Sequence, residues 1–230
     1  MRLTIGIVFW LALVFFTGLI ARNSVLYFSD PRSHGFVWEK RELADNPVWL
    51  AALVIHVAAG IVCLAASFLQ FFRPLLRRAP WAHRWLGRIY VSAVLCFLAP
   101  TGFYLAFSAH GGAAGTAGFL LLGVLTSVST WKGWIAMRRR QTAVHMAWMV
   151  RSFAMITSAI TFRFEHVALQ LVGADPETGF LIALYLSIAG NALVAECLLL
   201  KIRNRTHRIR TRKKHDHEKN RPVPMFARNS

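Results

Sequence analysis

Long apolar runs, separated by short polar stretches, dominate the sequence. A helix that crosses a bilayer needs about 20 mainly apolar residues, and six segments meet this requirement. The six segments cover roughly residues 4–21, 48–72, 86–108, 113–137, 142–163 and 178–200. The pattern therefore predicts an all-α fold: an integral membrane bundle of six transmembrane helices over residues 1–200, followed by a polar segment over residues 201–230.

The first apolar run follows Arg2 and extends from Leu3 to Ile20. A secretory signal peptide has a shorter apolar region, of about 7–15 residues, and ends at a cleavage site of small residues. No A-x-A motif follows this run. We interpret it as a retained first helix, and a cleaved signal peptide is the alternative.

Basic residues are concentrated in the loops at alternate ends of the predicted helices. Residues 73–88 hold five arginines, residues 132–140 hold one lysine and three arginines, and neither segment holds an acid. The loops over 22–47, 109–112 and 163–177 are balanced, uncharged and acidic, respectively. Because cytoplasmic loops carry the excess of Lys and Arg, this pattern predicts that both termini are cytoplasmic.

The composition supports the membrane class, and the placement of charge argues against binding of nucleic acid. Hydrophobic residues make up 56% and charged residues 16%, against roughly 25% charged in soluble domains. Of the formal charge of +17, +9 lies in residues 201–230. A nucleic-acid-binding domain collects its basic residues on a folded face, so we expect no specific nucleic acid. We expect residues 201–230 to form a disordered cytoplasmic tail that binds anionic lipids.

Several function classes lack the residues that they would need. Cys63, Cys96 and Cys197 lie far apart within apolar runs, which excludes a disulfide framework, an iron–sulfur site and a structural zinc site. Walker, GxSxG and HExxH motifs are absent, so a nucleotide-driven pump or a hydrolase has no support. The ionisable side chains within the apolar runs remain as candidates, since such groups usually face the bundle interior.

Three histidines lie inside or at the edges of the predicted helices: His56 in the second, His83 near the start of the third, and His145 in the fifth. The third and fifth helices begin on the same side, so His83 and His145 should lie at similar depth near the cytoplasmic face. A b-type haem in a helical bundle takes its axial imidazoles from facing helices. The alternatives are that each histidine hydrogen-bonds to a neighbouring helix, or that the pair binds a non-haem metal or transfers protons.

Further residues near these histidines fit a haem site. Gly87 follows His83 by four residues, and Gly60 follows His56 by four, so each could make room for a flat macrocycle. Arg84 and Arg88 are guanidinium groups at the cytoplasmic side that could hold the haem propionates. His56 has no histidine partner of equal depth, so it is the weaker candidate for ligation.

One acid and one base are expected to pair within the membrane. Arg151 lies in the fifth predicted helix, and Glu196 is the acid inside the sixth. A buried charge needs a partner, so we predict a buried charge pair of Arg151 and Glu196. Arg88 and Lys132 are the alternative partners of Glu196.

Three segments carry a resemblance to a known family. IHVAAG, LQFFRPLLRRAPWAHRWLGRIY and TWKGWIAMRRRQTAVHMAWMVRSFAM are similar to a bacterial family of predicted membrane proteins, domain of unknown function 2306. The resemblance covers roughly residues 50–165 and implies a multi-pass protein of the bacterial inner membrane. The family supplies no activity.

The order of the histidines also resembles, more weakly, that of the ascorbate-reducible transmembrane cytochromes b. In those proteins the first of four helices pairs with the third, and the second with the fourth, to hold two haems. The resemblance places His56, His83 and His145 on the first, second and fourth of these helices, so it implies one site formed by His83 and His145. The helix over 113–137 contains no histidine, so a second haem is not expected.

Two functions follow as hypotheses. The first is a membrane redox protein that holds haem b between His83 and His145 and exchanges electrons with a quinone or a redox partner subunit. The second is a cofactor-free membrane protein, such as a small transporter or an accessory subunit of a membrane complex.

Overall fold

The computed structural model describes residues 40–70 and 78–219, with side chains as far as residue 205, and a few positions between 15 and 22. All regular structure in these residues is helical, so the all-α prediction is confirmed. The predicted first helix over 4–21 lies mostly outside the described residues. The orientation with both termini in the cytoplasm stays a prediction.

Five long helices follow a short one, α1. The helices are α1 (Arg41–Ala44), α2 (Pro47–Gln70), α3 (Pro80–Ala106), α4 (Gly112–Arg138), α5 (Thr142–Leu171) and α6 (Pro176–Lys219). Helices α2 to α5 and α6 as far as Arg205 are each long and apolar enough to cross a membrane. They correspond to five of the six predicted spans, and successive helices run antiparallel through short connections.

The last helix is longer than its apolar run. Helix α6 continues to Lys219, whereas the polar composition predicted a disordered tail from residue 201. No glycine or proline lies between 201 and 219, and the arginines and lysines there are good helix formers. The predicted boundary at residue 200 therefore does not coincide with the end of a helix. Residues 220–230 lie outside the described part of the chain.

Side-chain caps fix the starts of two helices at the end opposite the basic loops. Asn46 Oδ1 accepts hydrogen bonds from the backbone N–H groups of Val48 (2.9 Å) and Trp49 (3.3 Å) at the start of α2. Asp175 Oδ2 accepts one from the Thr178 N–H (2.9 Å) at the start of α6. Such caps satisfy donors that a helix leaves unpaired. Hydrogen bonding from Thr178 also holds the pKa of Asp175 below its usual value.

Helix α3 changes character halfway along its length. It is α-helical over Pro80–Ser92, π-helical over Ala93–Leu98 and α-helical again over Ala99–Ala106. Pro100 has no N–H, and its ring would press on the Cys96 carbonyl in a regular helix. The wider π-helical turns accommodate this proline, and π-helical turns are frequent at functional sites.

A buried polar network joins three helices at the centre of the bundle. The Tyr90 hydroxyl lies 2.5 Å from Ser152 Oγ, and Ser152 Oγ lies 2.7 Å from Thr130 Oγ1. Thr130 also donates to the Thr126 carbonyl of its own helix at 2.8 Å. Tyr90, Thr130 and Ser152 are almost fully buried. Because lipid provides little hydrophobic drive between helices, such hydrogen bonds and close packing hold a bundle together.

The network predicts a stability effect for Ser152→Ala. This variant removes the atom that both Tyr90 and Thr130 contact, so the free energy of unfolding should fall by about 1–2 kcal/mol. Denaturing-detergent titration of the purified protein, followed by circular dichroism, measures the change. Ser127→Ala is the control, because the Ser127 hydroxyl donates only to the Gly123 carbonyl of its own helix. Equal effects of the two variants would contradict a special role for the network.

Candidate functional site

The two histidines predicted to pair lie at one end of the bundle. We call this the basic end: it holds Gln70, Pro80, Arg138 and Thr142, where α2 and α4 end and α3 and α5 begin. His83 lies in the first turn of α3 and His145 in the first turn of α5. The structure therefore places both histidines at the same level of the bundle, one turn into helices that begin at the same end.

The ring of His145 is held in a defined orientation. Its Nδ1 lies 2.8 Å from the carbonyl oxygen of Gly133 on α4. Because a carbonyl only accepts hydrogen bonds, this contact assigns the proton to Nδ1 and the lone pair to Nε2. In histidines that ligate metals, a backbone carbonyl commonly accepts a hydrogen bond from the other ring nitrogen in this way.

The ring of His83 is less fully satisfied. Its Nδ1 is buried and has no hydrogen-bond partner among the described residues. The backbone at His83 is fixed, because its carbonyl accepts a hydrogen bond from Gln70 Nε2 at 2.7 Å. Buried polar atoms without a partner are rare and call for an explanation. A bound group that uses the imidazole would provide one.

The residues predicted to surround the macrocycle are arranged differently from the expectation. A Cβ atom at Gly87 would lie 3.5 Å from Gln70 Nε2, so the Gln70 amide occupies the space beside Gly87. Gly87 therefore provides no open space for a macrocycle. The reason is tertiary: Gln70 ends α2 and reaches across to α3 to bind the His83 carbonyl.

The two arginines predicted to hold the propionates, Arg84 and Arg88, lie in different surroundings. Arg84 is exposed and lies close enough to His83 to influence it electrostatically. The Arg88 guanidinium lies 5.1 Å from the centre of the Trp85 ring and lines a groove between α2 and α3. Arg84 thus remains beside the histidine pair, whereas Arg88 faces the groove.

His56 does not belong to this pair. Its Nδ1 lies 3.0 Å from the Leu98 carbonyl and 3.2 Å from Thr101 Oγ1. Leu98 lies fifteen residues beyond His83 on α3, which is about 22 Å along the helix at 1.5 Å per residue. His56 therefore lies at a different depth from His83 and His145, in agreement with its place as the weaker candidate for ligation. The alternative, a hydrogen bond to a neighbouring helix, is what the structure shows.

Arg151 and Glu196 form the expected ion pair, but at the outside of the bundle. Arg151 Nε lies 2.5 Å from Glu196 Oε1, and Arg151 Nη2 lies 3.0 Å from Oε2. The side chains of Arg151 and Glu196 are 31% and 49% exposed. The ion pair is therefore not buried, in contrast to the prediction. Lys132 Nζ and the Arg151 guanidinium each lie 4.6 Å from the centre of the Trp148 ring. Residues of α4, α5 and α6 thus form one charged patch.

The sequence patterns gave no role to Tyr90. Tyr90 follows His83 by seven residues, and Ser152 follows His145 by seven. Residues seven apart lie on the same face of a helix, so Tyr90 shares a face with His83 and Ser152 shares one with His145. The Tyr90–Ser152–Thr130 network therefore lies about 10 Å deeper than the histidine pair on the same faces. The seven-residue spacing is the signal that could have identified Tyr90.

The ligand set of the histidine pair limits what it could bind. Within the two long stretches of chain that the structure describes, no group of three or more His, Cys, Asp or Glu residues is arranged to hold a metal ion. An isolated ion such as zinc usually takes at least three protein ligands. A pair of imidazoles suits an iron that already has four macrocycle nitrogens.

The helices, their apolar surfaces and their composition define a multi-pass helical membrane protein. The family model described as "Predicted membrane protein (DUF2306)" matches residues 53–199. This match covers more than half of the chain, so the chain belongs to that family, and the resemblance seen in the three sequence segments is confirmed. No curated protein and no solved structure matches the chain, so the weaker likeness to cytochromes b finds no support there.

The ion pair can be tested by a double-mutant cycle. We expect Arg151→Met and Glu196→Leu to be non-additive, with a coupling energy of about 1 kcal/mol, because each single variant leaves an unpaired charge. Thermal unfolding in a mild detergent measures the three variants against the parent protein. The control cycle combines Glu196→Leu with Arg139→Met, an exposed arginine in the α4–α5 turn. Additivity of Arg151→Met and Glu196→Leu would show that the pair does not contribute to stability.

Proposed function

We propose that this protein is a membrane redox protein that binds one b-type haem near its cytoplasmic face, with His83 and His145 as axial ligands. One observation carries the proposal: His83 and His145 lie in the first turns of two separate helices at the same end of the bundle. His145 is oriented by the Gly133 carbonyl, and His83 has a buried nitrogen without a partner. Membership of a multi-pass membrane family is consistent with this role but supplies no activity.

The residues around the pair have distinct tasks in this proposal. A bound haem supplies one-electron redox chemistry. The Gly133 carbonyl keeps the Nε2 lone pair of His145 available, and Gln70 fixes the backbone of His83. Arg84, which directly follows His83 in α3 and is exposed, would hold a propionate. A quinone or a redox partner subunit on the cytoplasmic side would exchange the electron.

A cofactor-free membrane protein is the second candidate, and two observations favour it. The Gln70 amide fills the space beside Gly87 that a macrocycle would use. The half-exposed Arg151–Glu196 pair, together with Lys132 and Trp148, also forms a charged patch on the outside of the bundle. Charged groups at this position suit an accessory subunit whose partner covers them, since charge facing lipid is costly.

The absorption spectrum of the protein discriminates between the candidates. We expect detergent-purified protein from haem-replete cells to show a Soret band and a sharp α-band after reduction by dithionite. The pyridine haemochrome assay should give about one haem per chain, as one bis-histidine site requires. His83→Ala and His145→Ala should each lose the haem. His56→Ala is the matched control, because His56 binds the Leu98 carbonyl far from the pair, and it should keep the haem.

Two results would contradict the haem proposal. A colourless parent protein after haem-replete expression would favour the cofactor-free candidate. Loss of haem in His56→Ala to the same extent as in His83→Ala would show that the assignment of ligands is wrong. A further variant guards against misfolding: His145→Met should keep a haem with a raised reduction potential, because Met/His ligation raises the potential.

A further inference from the structure

A groove runs along the outer surface of the bundle between α2 and α3. Its volume is about 570 Å³, and its walls include Ile55, Ala58 and Val62 of α2 and Trp85, Arg88 and Phe97 of α3. A volume of this size lies within the range of small-molecule sites, about 300–1,000 Å³. The walls are apolar along most of their length, and Arg88 is the only charged residue among them.

Small side chains and the dimensions of α3 give the groove its shape. Ala58 and Ala59 on α2 face Ser92 and Ala93 on α3, and the π-helical segment begins at Ala93. From Trp85 to Phe97 the groove extends over twelve residues, or about 18 Å of helix. One leaflet of the hydrocarbon core is about 15 Å thick, which is half of the whole. The groove therefore has the length of an acyl chain that starts at the basic end.

The charge at the mouth of the groove has no acidic partner in the protein. Arg88 is exposed, and it forms no ion pair with any of the described residues. The sequence contains no Asp or Glu between Asp45 and Glu165, so α2, α3 and α4 offer no carboxylate. Among the described residues, the Arg88 guanidinium contacts the Trp85 ring, and its Cζ atom lies 5.1 Å from the ring centre. An anion from outside the chain would complement this arginine.

We propose that the groove binds an anionic phospholipid, whose phosphate lies on Arg88 and whose acyl chain lies along α2 and α3. Arginine matches phosphate with two parallel N–H bonds. Trp85 lies in the second turn of α3, near the basic end, and tryptophan is enriched at the headgroup level of membrane proteins. The apolar wall from Ala58 to Phe97 covers the chain. This site is independent of the histidine pair and of the haem proposal.

Native mass spectrometry tests the site on the full chain. The purified protein is exchanged into micelles that contain equal amounts of phosphatidylglycerol and phosphatidylcholine, and the retained lipids are counted. We expect one phosphatidylglycerol to be retained in preference to phosphatidylcholine. Arg88→Gln should lower this preference at least about tenfold, because it removes the charge-assisted hydrogen bonds to the phosphate. Arg88→Lys should keep part of the preference, since it keeps the charge.

The control variants separate a built site from general attraction to negative charge. Arg139→Gln removes the same charge from an exposed position in the α4–α5 turn and should leave the preference unchanged. Ala58→Leu keeps Arg88 but fills the groove, so it should reduce retention of the lipid itself. Gel filtration checks that each variant is folded and monodisperse.

Several outcomes would overturn the proposal. Equal loss of preference in Arg88→Gln and Arg139→Gln would indicate non-specific electrostatics. Equal retention of the two lipids by the parent protein would remove the role of the phosphate contact. Undiminished retention in Ala58→Leu would show that the acyl chain lies elsewhere. Displacement of the lipid by inorganic phosphate at millimolar concentration would point to a headgroup site without a groove.

Discussion

The hydrogen bonds from Tyr90 through Ser152 to Thr130 are the constraint on which the rest of the bundle depends. Water is absent from the core of a bilayer, so polar groups there must find partners inside the protein. These three side chains come from α3, α5 and α4, and a shift of one helix along its axis would break the hydrogen bonds between them. Because His83 and His145 lie seven residues from Tyr90 and Ser152, the same bonds also set how far apart the two imidazoles are.

The two halves of the bundle use their polar groups differently. Near the basic end, cations outnumber acids, and Arg88 and Lys132 lie against the tryptophans Trp85 and Trp148. Toward the opposite end, hydrogen bonds between neutral groups, such as His56 with the Leu98 carbonyl and Asn191 with Ser158, accompany charged contacts such as that of Asp175 with the Thr178 N–H. Electron transfer and lipid binding are both proposed for the basic half, where His83, His145 and Arg88 lie.

Local patterns predicted much of the fold and less of the site. Apolar run length located five helices, and antiparallel helix order was enough to place His83 at the same end as His145 and Arg151 beside Glu196. The Gln70 amide beside Gly87 could not be predicted, because it depends on how α2 and α3 pack rather than on either helix alone. The same holds for Arg88, which faces α2 instead of the histidines, and for His56, whose acceptor is a backbone carbonyl.

The π-helical segment of α3 has a consequence for how the two halves are connected. A π-helical turn places one more residue in the helix than an α-helical turn, and one residue corresponds to about 100° of rotation. The π-helical segment over Ala93–Leu98 therefore determines which side of α3 faces α2 after residue 98. It does not change which side of α3 carries His83 and Tyr90, because both residues precede the segment. Loss of a single residue here would turn Leu98 and Thr101 away from His56 while leaving the basic half as it is.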